Sequence, residues 1–87
     1  MQKHNIAFGR VLRTLRKQRG FSQEQLAFEA GLDRTYISIL EMGKRSPTLD
    51  TLMVLCAAFD IQLDHIATKT LSELKGMNTA HDTQGST

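Results

Sequence analysis

Cysteine is scarce in this sequence, and its scarcity limits how the chain can be stabilised. The 87 residues include one cysteine, Cys56, so an internal disulfide framework is excluded. The three histidines, His4, His65 and His81, are scattered, and no Cys or His pair has the close spacing of zinc ligands. We therefore expect no metal, no other cofactor and no need for an oxidising compartment.

Groupings that would indicate catalysis are also missing. Cys56 lies on an apolar helix face without a paired histidine, and the sequence contains no glycine-rich phosphate loop. His65 is expected to be an exposed residue of the last helix rather than a base or a ligand. The sequence therefore predicts that the protein is not an enzyme.

Long apolar runs are absent as well. No segment approaches the roughly 18 consecutive apolar residues of a membrane span, and the N-terminal MQKHNIAFGR lacks the apolar centre of a signal peptide. The sequence shows neither strand-like alternation nor an internal repeat, and 87 residues fit one small domain. These absences favour a soluble, cytoplasmic, all-α protein.

The charge is unevenly distributed, although the net charge is only +2. Residues 1–47 hold nine basic and four acidic residues, whereas residues 48–87 hold two basic and five acidic ones. The first part thus carries +5 and the second −3, which suggests that one end of the molecule faces a polyanion. The alternative is that these charges only solvate helix faces.

Apolar residues recur three and four positions apart through most of the chain, and this is helical spacing. Ser22, Asp33 and Thr48 stand where N-caps are expected, and Ser22 with Gln25 has the pattern of a capping box. The predicted domain, residues 1–75, contains helices at about 5–19, 22–30, 33–42, 48–59 and 62–75. The small polar residues 76–87 are predicted to be a flexible C-terminal tail.

Two short helices joined by a tight turn, here the second and third, form a helix-turn-helix arrangement. The run FGRVLRTLRKQRGFSQEQLAFEAGLDRTYISILEMGKRSPTLDTLMVLCAAFDI also resembles the lambda-repressor and Cro-like (Xre-type) DNA-binding family. The residues around DRTYIS are similar to those of restriction-modification controller proteins. The resemblance implies a compact five-helix lambda-repressor-like domain that binds double-stranded DNA, and a nucleoid-associated protein of bacterial or phage origin.

The resemblance further implies that the third helix reads bases in the major groove, through Arg34, Thr35 and Ser38. An arginine at the tip of such a helix can donate two hydrogen bonds to guanine O6 and N7, worth about 1–3 kcal/mol of discrimination. Two alternatives stay open. Arg34 can instead pair on the surface with Asp33 or Glu29, and Ser38 can simply be small enough to let the helix approach.

Contacts to the DNA backbone are implied, by the same resemblance, for Gln23, Tyr36, Lys44 and Arg45. A charged loop suits this task because phosphate contacts position a protein without reading sequence. The alternatives are an ordinary polar role for Gln23 and a flexible base contact for Tyr36. The alternatives for the loop of Lys44 and Arg45 are that it is only a solvated turn, or that Arg45 enters a groove of the DNA.

Arg16 and Glu41 match a structural ion pair of the family that links the first helix to the third, and the alternative for Arg16 is a contact to DNA. Removing one partner of such a pair is expensive when the pair is buried, about 3–5 kcal/mol. Two residues depart from the family pattern. Ile39 occupies a commonly polar position, and Gln62 occupies one where relatives often place a capping Ser or Thr.

The fourth helix, LDTLMVLCAAFD, is apolar on nearly every side and is expected to be the most buried element. A dimer interface is expected at Leu63, Ile66, Leu71 and Leu74, although these residues can instead close the monomer core. One domain offers too few contacts for specificity in a genome, which favours a homodimer on a (pseudo)palindromic operator. The expected function is transcription regulation by such a dimer. The alternative is an antitoxin-like or other protein-interaction module that binds a protein partner, with DNA binding secondary.

Overall fold

The computed structural model describes the backbone of residues 1–85 and the side chains of residues 1–78. Five α-helices and no strand occur in this part of the chain. They are α1 (Lys3–Gln18), α2 (Gln23–Ala30), α3 (Arg34–Glu41), α4 (Leu49–Phe59) and α5 (Leu63–Gly85). The predicted five-helix, all-α fold is therefore confirmed, and the boundaries of the first four helices lie within two residues of the predicted ones.

Side-chain caps fix where the helices begin. The Ser22 hydroxyl accepts the backbone N–H of Gln25 at 3.0 Å, and the Gln25 side-chain oxygen accepts the backbone N–H of Ser22 at 2.7 Å. The Thr48 hydroxyl accepts the N–H of Thr51 at 3.0 Å. Each bond satisfies a backbone donor that has no partner within its own helix, so α2 and α4 begin at the positions predicted from the caps.

Helix α1 crosses the end of α3 at very short range. A Cβ at Gly9 would lie 2.5 Å from the carbonyl oxygen of Glu41 and 2.6 Å from that of Leu40. A Cβ at Gly43 would lie 2.8 Å from Cα of Ile6, and Gly43 also has a φ of +73°, which favours glycine. Gly9 therefore lets α1 pack directly on the backbone of α3, and Gly43 lets α1 approach the turn that follows α3.

The core lies between the helices and is filled mainly by aliphatic side chains. The largest fully buried side chains are Phe59, Leu12, Leu26, Ile37, Leu40, Leu55 and Ile66. Helix α4 buries Leu55 and Phe59 but exposes Leu49 and Met53, so the expectation that it is the most buried element is wrong. Within the described residues, no single helix is long and apolar enough to cross a membrane. Helices α4 and α5 have the required length and apolar composition only when they are taken together, and they are bent by 104° relative to each other.

Helix α5 extends further than the sequence predicted. It was expected to end before Gly76, but it continues to Gly85, so residues 76–85 of the predicted flexible tail have a helical backbone. A glycine inside a helix costs only about 1 kcal/mol relative to alanine, and good helix formers flank this one, so it does not end the helix by itself. Ser86 and Thr87 lie outside the described residues.

Candidate nucleic-acid interface

The turn between α2 and α3 consists of residues 31–33. Gly31 adopts a left-handed φ of 67°, and the N–H of Leu32 donates to the carbonyl oxygen of Ala27 at 2.8 Å. The Asp33 carboxylate then accepts the N–H of Thr35 at 2.7 Å and caps α3. These bonds close α2 and open α3 within three residues, so the predicted helix-turn-helix geometry is present.

Helix α3 has one buried face and one exposed face. Ile37 and Leu40 are fully buried and hold the helix on the core. Arg34 and Thr35 are exposed at its N-terminal end, and Ser38 is half-buried one turn further on. The structure therefore brings the three predicted base-reading residues together on the outer side of α3, at the end where a groove-bound helix contacts base edges.

The surroundings of Arg34 show whether it forms a surface ion pair, which is the alternative to base reading. Among the side chains of residues 1–78, none lies within 4.0 Å of Arg34 as an ion-pair partner. The carboxylate of Asp33 is used by the helix cap instead. Surface pairing with Asp33 or Glu29 is therefore not seen, and the guanidinium is available to a ligand. Ile39 is half-buried beside this face.

A buried ion pair connects α1 to the C-terminal end of α3. Arg16 Nε donates to Glu41 Oε2 at 2.6 Å and Nη2 donates to Oε1 at 3.1 Å, with side-chain exposures of 10% and 6%. Nη1 donates to the carbonyl oxygen of Phe21 at 2.9 Å. Hydrogen bonding to Glu41 raises the pKa of Arg16, while burial alone would lower it. The structure thus brings together the two residues expected to form a structural pair.

Gln23 connects a third helix, α2, to this ion pair. It is the first residue of α2, it is half-buried, and its Nε2 donates to Glu41 Oε1 at 3.1 Å. The Glu41 carboxylate consequently accepts hydrogen bonds from both α1 and α2. The side chain expected to contact a phosphate therefore also buttresses the end of α3.

The loop after α3 is basic, and a side-chain hydrogen bond holds it on α1. Lys44 and Arg45 are exposed, and neither has an ion-pair partner among the described side chains. The Ser46 hydroxyl donates to Oδ1 of Asn5, a buried residue of α1, at 2.9 Å. Arg45 lies with its guanidinium carbon 5.9 Å from the centre of the Tyr36 ring. Three cations on or beside α3, namely Arg34, Lys44 and Arg45, thus have no ion-pair partner among the side chains of residues 1–78.

Tyr36 is anchored against the first turn of α4. Its hydroxyl lies 3.2 Å from the hydroxyl of Thr51, which in turn accepts a hydrogen bond from the Thr48 hydroxyl at 3.0 Å. The sequence indicated Thr48 as a cap but gave no sign that Thr51 would contact Tyr36. Asn5 was missed in the same way, because its partner is distant in the chain.

The four residues expected at a dimer interface differ in how accessible they are. Ile66 is 2% exposed and belongs to the hydrophobic core, so its assignment to an interface is wrong: it lies on the inner side of α5. Leu63 is half-buried against the core, and Leu74 is half-buried. Leu71 is 62% exposed and borders a shallow apolar groove between α1, α4 and α5. The structure therefore leaves Leu71 as the most accessible of the four.

The histidines and the cysteine occupy different environments. His4 and His65 are exposed on α1 and α5, as expected for His65, and His81 lies outside the residues whose side chains are described. Cys56 is buried in α4, and burial raises the pKa of its thiol. The thiol is therefore held in its neutral form near pH 7.

Comparison with known proteins gives consistent results. A helix-turn-helix family model matches residues 12–66. Control protein C.MunI of Mycoplasma sp is 40% identical over 67 residues, which are 76% of this chain and 90% of that protein. Among solved structures, the restriction-modification controller protein C.AhdI from Aeromonas hydrophila has 42% sequence identity to this chain. Its crystal structure matches with a TM-score of 0.69, and the match covers 71% of this chain and 94% of C.AhdI. The C.Esp1396I tetramer, solved in complex with its natural 35 base-pair operator, is 26% identical, with a TM-score of 0.77 over 85% of this chain and 97% of that one.

Proposed function

The chain belongs to the helix-turn-helix family that includes the restriction-modification control proteins, and on this basis we propose that it is a sequence-specific DNA-binding transcriptional regulator. The observation that carries the proposal is the outer side of α3. Arg34 and Thr35 are exposed there, and Arg34 has no ion-pair partner among the described side chains, while Ile37 and Leu40 are buried and hold the helix on the core. A helix presented in this way can enter the major groove and expose its hydrogen-bonding groups to base edges.

Within this proposal, Arg34, Thr35 and Ser38 read bases. Gln23, Tyr36, Lys44 and Arg45 contact the sugar-phosphate backbone. Lys44 and Arg45 attract phosphates and set the register of the helix, a role that needs charge but no sequence information. The protein has no enzymatic activity of its own under this proposal, and it acts in the cytoplasm, on the DNA of a bacterium or a phage.

The test of DNA recognition begins by selecting bound sequences from random duplex DNA. A recovered palindrome would define the operator and its half-site spacing, which for a two-fold dimer is about 34–36 Å. Arg34→Ala is then expected to lose about 1–3 kcal/mol of discrimination at one base pair. Lys44→Ala is expected to weaken binding to all sequences alike and to reduce the salt slope by about one.

Arg10→Ala is the matched control for these variants. Arg10 is an exposed cation paired with Glu73 of α5 at 3.3 Å, so it belongs to a different face. Its removal is expected to leave both specificity and affinity close to those of the parent. If Arg34→Ala and Lys44→Ala bind the selected site as tightly as the parent, the assignment of this face to DNA is wrong.

We also propose that the protein acts as a homodimer through two apolar side chains of α5, the exposed Leu71 and the half-buried Leu74. Leu71 lies beside the apolar groove, where a second copy would bury it in a self-complementary contact. Sedimentation of the parent at micromolar concentration is expected to show a dimer, and Leu71→Asp/Leu74→Asp a monomer. Phe28→Asp, at an exposed aromatic of α2, is the control and should leave the dimer intact. A monomeric parent would exclude the interface.

A further inference from the structure

The apolar groove between α1, α4 and α5 is lined, within the described residues, by a single titratable side chain, that of His4. His4 is exposed at the start of α1, and the exposed Leu71 of α5 lines the same groove. The other two polar residues of the lining, Asn5 and Thr70, are uncharged and bonded within the chain. Asn5 Oδ1 accepts the Ser46 hydroxyl at 2.9 Å, and the Thr70 hydroxyl donates to the carbonyl oxygen of Ile66 at 2.8 Å.

No carboxylate among the described side chains lies within 4.0 Å of His4 to form an ion pair. Charged residues occur on every element around the groove, but none of them lines it. They are Lys3, Arg10, Arg13, Arg16 and Lys17 of α1, Lys44 and Arg45 of the loop, Asp50 and Asp60 of α4 and its cap, and Asp64, Lys69, Glu73 and Lys75 of α5. Glu73 is already paired with Arg10 at 3.3 Å. A positive charge on His4 is therefore stabilised by water rather than by a partner in this part of the chain.

We propose that His4 makes the dimer sensitive to pH: the neutral imidazole allows a second copy of the chain to cover the groove, and the protonated imidazole opposes it. This inference rests on the proposed homodimer contact at Leu71. A second copy that covers Leu71 also removes water from beside His4, because both side chains line one groove. Moving an unpaired charge out of water is unfavourable, whereas a neutral imidazole is tolerated. Histidine is the side chain that ordinarily changes its charge between pH 5 and 8, so mildly acidic solution should dissociate the dimer.

The size of the effect follows from proton linkage. A two-fold dimer contains two copies of His4, so the effect on one chain enters twice. If the dimer excludes both protons completely, and a free histidine titrates near pH 6.5, the dissociation constant of the dimer rises about 100-fold from pH 7.5 to 5.5. Incomplete exclusion gives a smaller rise, and we expect a rise of at least about tenfold.

Sedimentation equilibrium of the full chain at pH 7.5 and 5.5 tests the inference. His4→Gln keeps a polar side chain that gains no proton in this range, so it is expected to form equally tight dimers at both pH values. His65→Gln/His81→Gln is the matched control, because it leaves His4 as the only histidine of the chain. This control is expected to retain the full pH dependence of the parent. His4→Lys carries its charge at both pH values and is expected to form weak dimers at both.

Three results would overturn the role of His4. They are a rise smaller than tenfold in the parent, an equal rise in His4→Gln, and a His4→Lys dimer as tight as that of the parent at pH 7.5. An equal rise in His4→Gln would also be the result if acid simply unfolded the protein. A parent that is monomeric at pH 7.5 contradicts the proposed homodimer itself. A parent dimer that is equally tight at both pH values contradicts only the inference about His4.

Discussion

Replacing Arg16 by methionine is the most informative perturbation of the scaffold behind the DNA-binding helix. Methionine keeps an unbranched apolar chain but removes the guanidinium. Glu41 then loses hydrogen bonds of 2.6 and 3.1 Å, and the carbonyl oxygen of Phe21 loses one of 2.9 Å. The Glu41 side chain is 6% exposed, and it would keep only the donor of Gln23 at 3.1 Å.

The expected loss of stability follows from this burial. An uncompensated buried charge after removal of its partner costs about 3–5 kcal/mol. Small domains are typically stable by about 5–15 kcal/mol, so Arg16→Met is expected to lose a large fraction of its stability. The assay is urea unfolding followed by circular dichroism, in which a lower midpoint at unchanged slope reports the change in free energy of unfolding.

Two further variants show whether the reasoning about charge is right. Arg16→Met/Glu41→Leu removes both charges and is expected to recover most of the stability, since apolar replacement of a buried pair is often neutral or stabilising. Arg10→Met breaks the exposed pair with Glu73, whose side chains are 57% and 38% exposed, and is expected to change stability by less than about 1 kcal/mol. A loss below about 1 kcal/mol in Arg16→Met, or a double variant no more stable than the single one, would refute the reasoning.

Three further predictions concern packing, ionisation and the basic loop. Gly9→Ala is expected to lose about 1–3 kcal/mol in urea unfolding, because its Cβ would lie 2.5 Å from a backbone oxygen of α3. Gly76→Ala is the control, because a Cβ at Gly76 would have no atom within 4 Å, and this substitution should be neutral or stabilising. Equal changes in stability for Gly9→Ala and Gly76→Ala would contradict the prediction. Because burial raises the pKa of the Cys56 thiol, the parent should lose stability as the pH rises above about 8.5, where the thiol of the unfolded chain ionises. The urea midpoint should therefore fall between pH 7 and 10, and it should fall less in Cys56→Ala. Equal falls of the midpoint in the two proteins would contradict this prediction. Asn5→Ala removes the hydrogen bond that holds Ser46 of the basic loop, so it should weaken binding to non-specific DNA in a titration. Ser46→Thr keeps the hydroxyl and should not weaken it. Unchanged binding in Asn5→Ala would show that the loop does not need this hydrogen bond.

Local sequence patterns were enough to predict the helix-turn-helix and its caps. Ser22, Asp33 and Thr48 each bond a backbone N–H two or three residues away, so their function can be inferred from neighbouring residues alone. The Arg16–Glu41 pair spans 25 positions and came from the family resemblance rather than from any local pattern. The outer side of α3 was predictable because its apolar anchors recur at helical spacing.

Contacts between distant residues were not predictable in the same way. The hydrogen bond between Ser46 and Asn5 joins positions 41 apart, and no local pattern marks either residue. Apolar spacing placed Ile66 and Leu71 on one helix but did not show which of them faces the core. The end of α5 was misplaced because the penalty for one glycine is too small to stop a helix without help from tertiary packing.

The separation between the two sides of α3 has a consequence for how new specificities arise. The inner side and the end of the helix hold the fold through Ile37, Leu40 and Glu41. The exposed Arg34 and the half-buried Ser38 make no side-chain hydrogen bond to the described remainder of the chain, and substitutions at exposed positions such as Arg34 usually change stability by less than about 0.5 kcal/mol. If Arg34 and Ser38 read bases as proposed, mutations at these two positions can change the operator that is bound while the fold is retained.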